Sequence, residues 1–422
     1  MPELALLGGP KTINKPFPPY NTIGEEEIEA VTAVLKRGEL SKFFGSWNER
    51  FYGGPEVLEF ERQWAEFFGV KHAVSFNSLT SGLVAAVGAV GIEPGEEVIV
   101  SPWTMSATAT AALVWNAVPV FADIEEETFN LDPLSVEKSV TPRTKAIIVT
   151  DIFGHAADLE GIRAVAKKHG LKVIEDAAQA PAAKYLGKYV GTGGDIGGFS
   201  LNYHKHIHTG EGGVCVTDDD DISEKMKSIR NHAEAVVEGK KQSDISNMIG
   251  FNFRMGEIEA AIGKIQLNKL KSLTDMRSKT GAVLSEALKG LKGLKTPIVK
   301  KNCTHVFYVY PLVLDDSIEA LREKIVDALQ EEGVPWIYGG YLNLHLLPMY
   351  QKKIAYGSKG FPWSSDVYKG DVSYAKGICP VAESLKDRGL ICLQICQHYY
   401  TEEETELVIE AFQKVWKNLD KL

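Results

Sequence analysis

Val173-Ile174-Glu175-Asp176-Ala177-Ala178-Gln179-Ala180 is an apolar run that stops at two adjacent carboxylates. It reads as a buried strand whose end carries Asp176 to the edge of a sheet. Similar apolar strands are predicted at Ala73–Phe76, Val98–Ser101, Val118–Ala122, Ala146–Thr150, Ile196–Ser200 and Val214–Val216, with helical segments such as Leu159–Lys168 between several of them. Continuous apolar strands that alternate with helices predict an α/β fold with a mainly parallel central sheet covered by helices on both faces. Ligands of such sheets sit beyond the carboxyl ends of the strands, where Asp176 is expected.

The next stretch outward is Ser200-Leu201-Asn202-Tyr203-His204-Lys205-His206-Ile207-His208-Thr209-Gly210-Glu211-Gly212-Gly213. It places Lys205 on a loop between two predicted strands, where a scaffold can aim one amine into a cleft. A lone loop lysine is ordinarily solvated surface. A lysine amine together with a strand-end aspartate is what pyridoxal phosphate needs: an amine to bond the aldehyde, and a carboxylate to pair with the protonated ring nitrogen. Glu175 is expected to point the other way and to be structural.

These two stretches resemble the DegT/DnrJ/EryC1/StrS family of pyridoxal-phosphate-dependent sugar aminotransferases. The family pattern V-I-E-D-A-A-Q-A is met by Val173 to Ala180, and S-F-x-x-x-K-x-I-x-x-G-E-G-G by Ser200 to Gly213 with Leu201 in place of Phe. The resemblance runs from about Gly24 to Trp416. It implies an aspartate-aminotransferase-like fold type I with a smaller C-terminal α/β domain. It further implies Lys205 as the catalytic residue, Asp176 at the ring nitrogen and Gln179 at the phenolic oxygen. Ser200, Leu79 and Thr80 fall at the family's phosphate positions, within Asn77-Ser78-Leu79-Thr80-Ser81-Gly82 at a helix start. Met105, ranked above Trp103, falls at the aromatic that stacks on the ring. Asn252, in Gly250-Phe251-Asn252-Phe253-Arg254-Met255, falls at the asparagine that reaches the neighbouring subunit's phosphate. The implied assembly is a homodimer, and Arg254 is expected to be structural.

The bulk composition agrees with an ordinary soluble domain pair. The chain has 422 residues, 44% apolar and 24% charged, enough for one large domain and a smaller one. A net charge of −10 without a Lys/Arg-rich run argues against nucleic acid as a partner. Five cysteines without a CxxC pair suggest neither a disulfide framework nor a metal or iron–sulfur site. His204, His206 and His208 alternate around Lys205 with no carboxylate or Cys partner in sequence, so metal is not expected there either. No signal peptide or spanning apolar run is visible, no membrane partner is expected, and the cytoplasm is the expected compartment.

The expected organisation is an irregular N-terminal arm (1–23), a large cofactor-binding domain (24–270) and a small domain (271–422). Helices are expected at Glu25–Leu35, at Leu83–Val90 and at Glu257–Leu270. A strand is expected near His305–Leu314, then a helix from Ser317 with Asp316 as N-cap and Glu319 at N3. Trp336 to Pro362 reads as irregular, and a last helix starts at Thr401 with Glu404 completing a capping box. Gly38 to Pro55, rich in Gly and aromatics, reads as a long loop. The function implied is amino transfer from glutamate or glutamine to a keto-sugar, most simply a nucleotide-linked one. A cyclitol ketone is the alternative acceptor, and a pyridoxamine-dependent sugar dehydratase is the alternative reaction.

Overall fold

The computed structural model describes residues 3–422. After α1 (Glu25–Arg37) and α2 (Pro55–Phe68), the chain alternates strand and helix. The order is β1 (His72–Phe76), α3 (Leu79–Ala89), β2 (Glu97–Val100), α4 (Ser106–Val114), β3 (Val118–Phe121), α5 (Pro133–Ser139), β4 (Thr144–Thr150), α6 (Leu159–His169) and β5 (Lys172–Asp176). A short hairpin, β6 (Lys184–Tyr185) and β7 (Lys188–Tyr189), leads to β8 (Ile196–Ser200), β9 (Gly213–Thr217) and α7 (Asp220–Arg230). The sheet has seven strands in the order β1-β9-β8-β5-β4-β2-β3. Only β9 runs antiparallel to its neighbours. Every strand predicted for this sheet is present, and its mainly parallel α/β character is as expected.

Alternate residues of each strand enter opposite cores. Val98, Val100, Ile148 and Ile174 pack with the apolar faces of α3 and α4, whereas Ile147, Val149 and Val173 pack under α6. Burial on both faces is why these strands read as unbroken apolar runs. At the carboxyl edge the register aligns Thr150 with Asp176, Asp176 with Gly198, and Gly213 with both Ser200 and Phe76. Gly213 is required there: a Cβ would lie 2.4 Å from the Leu79 backbone nitrogen, so only glycine lets α3 begin against the sheet.

Helix α8 (Glu257–Leu288) has 32 residues, about 48 Å of continuous helix. It runs eighteen residues past its expected end at Leu270, so residue 270, where the sequence reading divides the chain, lies inside an unbroken helix. The amphipathic pattern continues, with Leu284 and Leu288 in a second core. That core covers a four-stranded antiparallel sheet, ordered β10 (Leu294–Lys295), β11 (Tyr310–Leu314), β13 (Leu390–Leu393) and β12 (Ile337–Gly339). Four helices, α9 (Arg322–Glu331), α10 (Pro348–Gln351), α11 (Pro380–Ser384) and α12 (Glu402–Trp416), complete the chain.

Four local expectations are corrected. The helix predicted from Ser317 begins at Arg322, because the Asp315 carboxylate closes a turn onto the Ser317 N–H (2.9 Å) and no Asp316 cap forms. The strand predicted from His305 begins at Tyr310. The stretch read as irregular holds β12, which pairs with β13, and α10. Helix α3 begins four residues before Leu83, and its N-cap is Ser78, whose hydroxyl accepts from the Ser81 N–H (3.1 Å). The Thr401/Glu404 capping box on α12 is formed.

Three polar anchors hold the loops that flank the sheet edge. Glu332, fully buried, accepts from Ala5 N (2.8 Å), Thr12 N (3.0 Å) and Lys414 Nζ (2.8 Å), so the N-terminal arm is strapped to the end of α9 and to α12. Arg230, also fully buried, pairs with Glu61 (2.5 Å). Its Nη2 donates to Tyr52 O (3.3 Å), and Asn231 donates to Phe44 O and Phe51 O. Losing one partner of such a buried pair costs about 3–5 kcal/mol, which makes the Gly38–Pro55 loop a fixed element despite its lack of periodicity. The third anchor is Tyr20, whose hydroxyl donates to His206 O (2.7 Å) inside the lysine loop.

Candidate active site

The loop between β8 and β9 is closed by its own backbone: Lys205 N donates to Asn202 O (2.9 Å) and Thr209 N to Leu201 O (3.0 Å). This turn aims Lys205 inward. The residue is 8% exposed, and its Nζ lies 4.3 Å from the centroid of the Tyr308 ring. Among the described residues no carboxylate forms an ion pair with it. Burial pushes its pKa down to about 8, and the Asp176 carboxylate draws it part of the way back. A sizeable share of the amine is therefore neutral, and nucleophilic, near pH 7–8.

Asp176 ends β5, the strand beside β8. Its Oδ2 accepts from Thr108 Oγ1 (2.7 Å) and its Oδ1 from Ala178 N (3.2 Å). Thr108 is itself paired with Thr104 (2.7 Å). Burial raises the carboxyl pKa against the lowering effect of those two hydrogen bonds. Asp176 also lacks an ion-pair partner among the described residues, so the pocket has a buried carboxylate that a cation would satisfy. The protonated ring nitrogen of pyridoxal phosphate has that charge. Glu175 points the other way, as expected, and accepts from the N–H groups of Gly191 (2.8 Å), Gly193 (2.7 Å) and Gly194 (2.5 Å).

Gln179 Oε1 accepts from Phe153 N (2.8 Å), which turns its NH2 end away from the backbone. The Tyr341 hydroxyl faces that amide, and its ring packs on Phe153 (5.2 Å) and Trp103 (5.7 Å). At the start of α3 the backbone N–H groups of Leu79 and Thr80 have no acceptor among the described residues, and Thr80 is exposed. Free N–H groups at a helix N-terminus suit a phosphate. Leu79 offers only that N–H, because its side chain is buried against Gly198. The Ser200 hydroxyl, half-buried, accepts from Asn202 N (3.3 Å) and lies on the strand that pairs with Gly213.

Trp103 is fully buried, donates from its indole to Asn343 (2.6 Å) and stacks on Phe129. That leaves Met105, 67% exposed at the N-cap of α4, as the one of the two open to a ligand. Asn252 is exposed. Its Oδ1 accepts from Arg254 Nε (2.8 Å), and its neighbour Phe253 accepts from Asn77 N (2.9 Å), beside the start of α3. The three histidines part ways. His206 is fully buried, with Nε2 on Val306 O (2.9 Å). His208 accepts from Gly210 N (3.3 Å). His204 stacks under Tyr203. Among the described residues no group of three or more His, Cys, Asp or Glu is placed to hold a metal ion.

Three site residues escape a sequence reading. Thr108 lies in an Ala-rich helix with no motif around it. Tyr308 and Tyr341 come from the second half of the chain, more than 100 residues from the side chains they face.

The profile of the DegT/DnrJ/EryC1/StrS aminotransferase family matches residues 21–375. The chain belongs to this family. It is accordingly a pyridoxal-phosphate-dependent aminotransferase. GDP-perosamine synthase of Caulobacter vibrioides is 37% identical over 301 residues, 70% of this chain and 79% of that protein. The L-glutamine:2-deoxy-scyllo-inosose aminotransferase of Streptoalloteichus tenebrarius is 33% identical over 360 residues, 82% and 83% of the two chains. The crystal structure of an aminotransferase from Psychrobacter cryohalolentis superposes with a TM-score of 0.81 at 28% identity, covering 96% of this chain and 100% of that one. Among the described residues no helix is long and apolar enough to cross a membrane.

Proposed function

We propose that this family member transfers the amino group of glutamate or glutamine to the keto carbon of a nucleotide-linked sugar. The observation that carries the reading is the buried pair of Asp176, at the end of β5, and Lys205, on the loop after the adjacent strand β8, which act on each other at the carboxyl edge of the sheet without a direct ion pair among the described residues. Pyridoxal phosphate, when bound, supplies a carbonyl carbon for the donor amine and an electron sink for the bond broken at its α-carbon. Lys205 holds the cofactor and then moves the proton at the donor's α-carbon, a task suited to an amine held near pKa 8 by burial. Asp176, kept in place by Thr108 and Ala178, carries the negative charge opposite the ring nitrogen. The Gln179 amide, oriented by Phe153 N, donates toward the phenolic oxygen. The N–H groups of Leu79 and Thr80, with the Thr80 and Ser200 hydroxyls, take the phosphate, and Met105 covers the ring.

The test is a single-turnover screen of the amino-loaded enzyme against GDP-, dTDP- and UDP-linked keto-hexoses and 2-deoxy-scyllo-inosose, read by mass spectrometry. A nucleotide-linked amino sugar as product is expected, with ping-pong kinetics. Product from 2-deoxy-scyllo-inosose alone would move the acceptor to the cyclitols. The inosose aminotransferase likeness favours that second reading.

We further propose a homodimer with sites built from two chains, because Asn252 is exposed and falls at the family's cross-subunit asparagine. Mixing inactive Lys205→Ala and Asn252→Ala proteins is then expected to restore activity. Each heterodimer has one site with both lesions and one with neither. No recovery after verified subunit exchange, or a monomer in the ultracentrifuge at active concentrations, would refute shared sites.

A further inference from the structure

His204 differs from the other two histidines of the lysine loop. His206 bonds Val306 O through Nε2 and His208 accepts from Gly210 N through Nδ1. Neither ring nitrogen of His204 has a hydrogen-bond partner among the described residues, although the residue sits next to Lys205 and is half-buried. One face of its ring carries the Tyr203 ring, with centroids 5.1 Å apart and planes at 17°. Its edge meets Tyr308 at 6.0 Å and 88°, the same tyrosine on whose face the Lys205 amine rests. The chain of contacts Lys205, Tyr308, His204, Tyr203 thus runs from the buried amine to a tyrosine that is 66% exposed. Tyr203 presents a large ring to solvent on a loop pinned by its own backbone and by Tyr20.

We infer that the stacked Tyr203–His204 pair is the acceptor subsite: the Tyr203 ring takes the apolar face of a polyhydroxylated ring, and the free His204 nitrogens take its hydroxyls. The inference rests on the amino-transfer reading above and extends it to the part of the acceptor that is recognised. A sugar or cyclitol ring has both surfaces that the pair requires, C–H groups on one face and hydroxyls at its rim. Burial, and then the neighbouring Lys205 charge, push the His204 pKa down to about 4, so its imidazole is neutral at pH 7. A neutral imidazole donates from one nitrogen and accepts at the other, which matches hydroxyls that can do either. Tyr308 meets both the Lys205 amine and the His204 edge, so a ring seated on the pair lies on the same side of the loop as the amino-transfer centre.

The experiment uses the cofactor-loaded enzyme and the panel named above, with saturation-transfer NMR for contact and steady-state kinetics for turnover. Tyr203→Ala and His204→Phe are each expected to raise the acceptor KM about tenfold, with a much smaller change in kcat, and to weaken saturation transfer to the ring protons of the probe. Tyr203→Phe keeps the stacking face and is expected to stay within twofold of wild type. Acceptor KM values within twofold of wild type in both Tyr203→Ala and His204→Phe would overturn the inference. So would a Tyr203→Phe variant as impaired as Tyr203→Ala. If no member of the panel turns over, the amino-transfer reading fails. The contact measurement still decides the subsite: transfer lost in Tyr203→Ala supports it, and unchanged transfer removes it.

Discussion

Lys205→Ala is expected to abolish amino transfer and covalent attachment of pyridoxal phosphate together. Among the described residues the amine is the only one the fold buries at the carboxyl edge of the sheet beside Asp176, and its loop is held by its own backbone turn and by Tyr20. Loss of a positioned proton carrier alone costs on the order of 10²–10⁴-fold, and loss of the covalent link removes the residual route. Borohydride reduction of the loaded wild-type protein, followed by peptide mapping, is expected to place the label on Lys205. The sign of the pH effect follows from burial: with the pKa lowered to about 8, the attachment rate in the cofactor-free protein rises toward pH 8 and levels above it. A label on another lysine, or a rate still climbing toward pH 10, would sink the assignment.

Asp176→Asn is expected to slow the half-reaction with the amino donor by on the order of 10²-fold, the scale of a lost preorganised charge in a water-poor site. The fold is expected to survive, because the carboxamide keeps an oxygen for the Thr108 hydroxyl or the Ala178 N–H. The direction of the carboxyl pKa shift sharpens the prediction. Burial raises it, so in the cofactor-free protein part of the carboxylate's cost is unrelieved, and a cation at the ring nitrogen relieves it. The expected result therefore includes weaker cofactor retention, measured by dialysis and absorbance. Wild-type rates in the donor half-reaction would remove Asp176 from the ring nitrogen.

The strands of the large sheet were legible because each is buried on both faces and needs no partner to declare itself: Val98–Val100 and Val173–Ile174 can be little else. Lys205 and Asp176 stood out because each sits in a family stretch, unbroken around Asp176 and broken around Lys205 only by Leu201. What was hidden was hidden for physical reasons. The β12 strand is three residues long, amid Gly and Tyr, and lies at the sheet edge with β13 as its one strand partner among the described residues. The helix expected at Ser317 lost its first turn to Asp315, a side chain that offers the backbone an alternative bond. Ser78 takes the cap of α3 because Thr80 falls inside the first turn. Thr108, Tyr308 and Tyr341 reach the site through tertiary contacts that no local pattern encodes.

Helix α8 carries a consequence for how an acceptor is chosen. It passes from one sheet to the other without a break. A single core also joins Val98 and Ile148 of the large sheet to Leu390 and Cys392 of the small one. A continuous helix packed into shared cores offers no hinge between the two sheets. The choice of acceptor is therefore expected to fall to the side chains that stand at a fixed doorway rather than to a hinged jaw. Small-angle scattering profiles with and without acceptor are expected to superpose. A contraction on binding would mean that the spine bends after all.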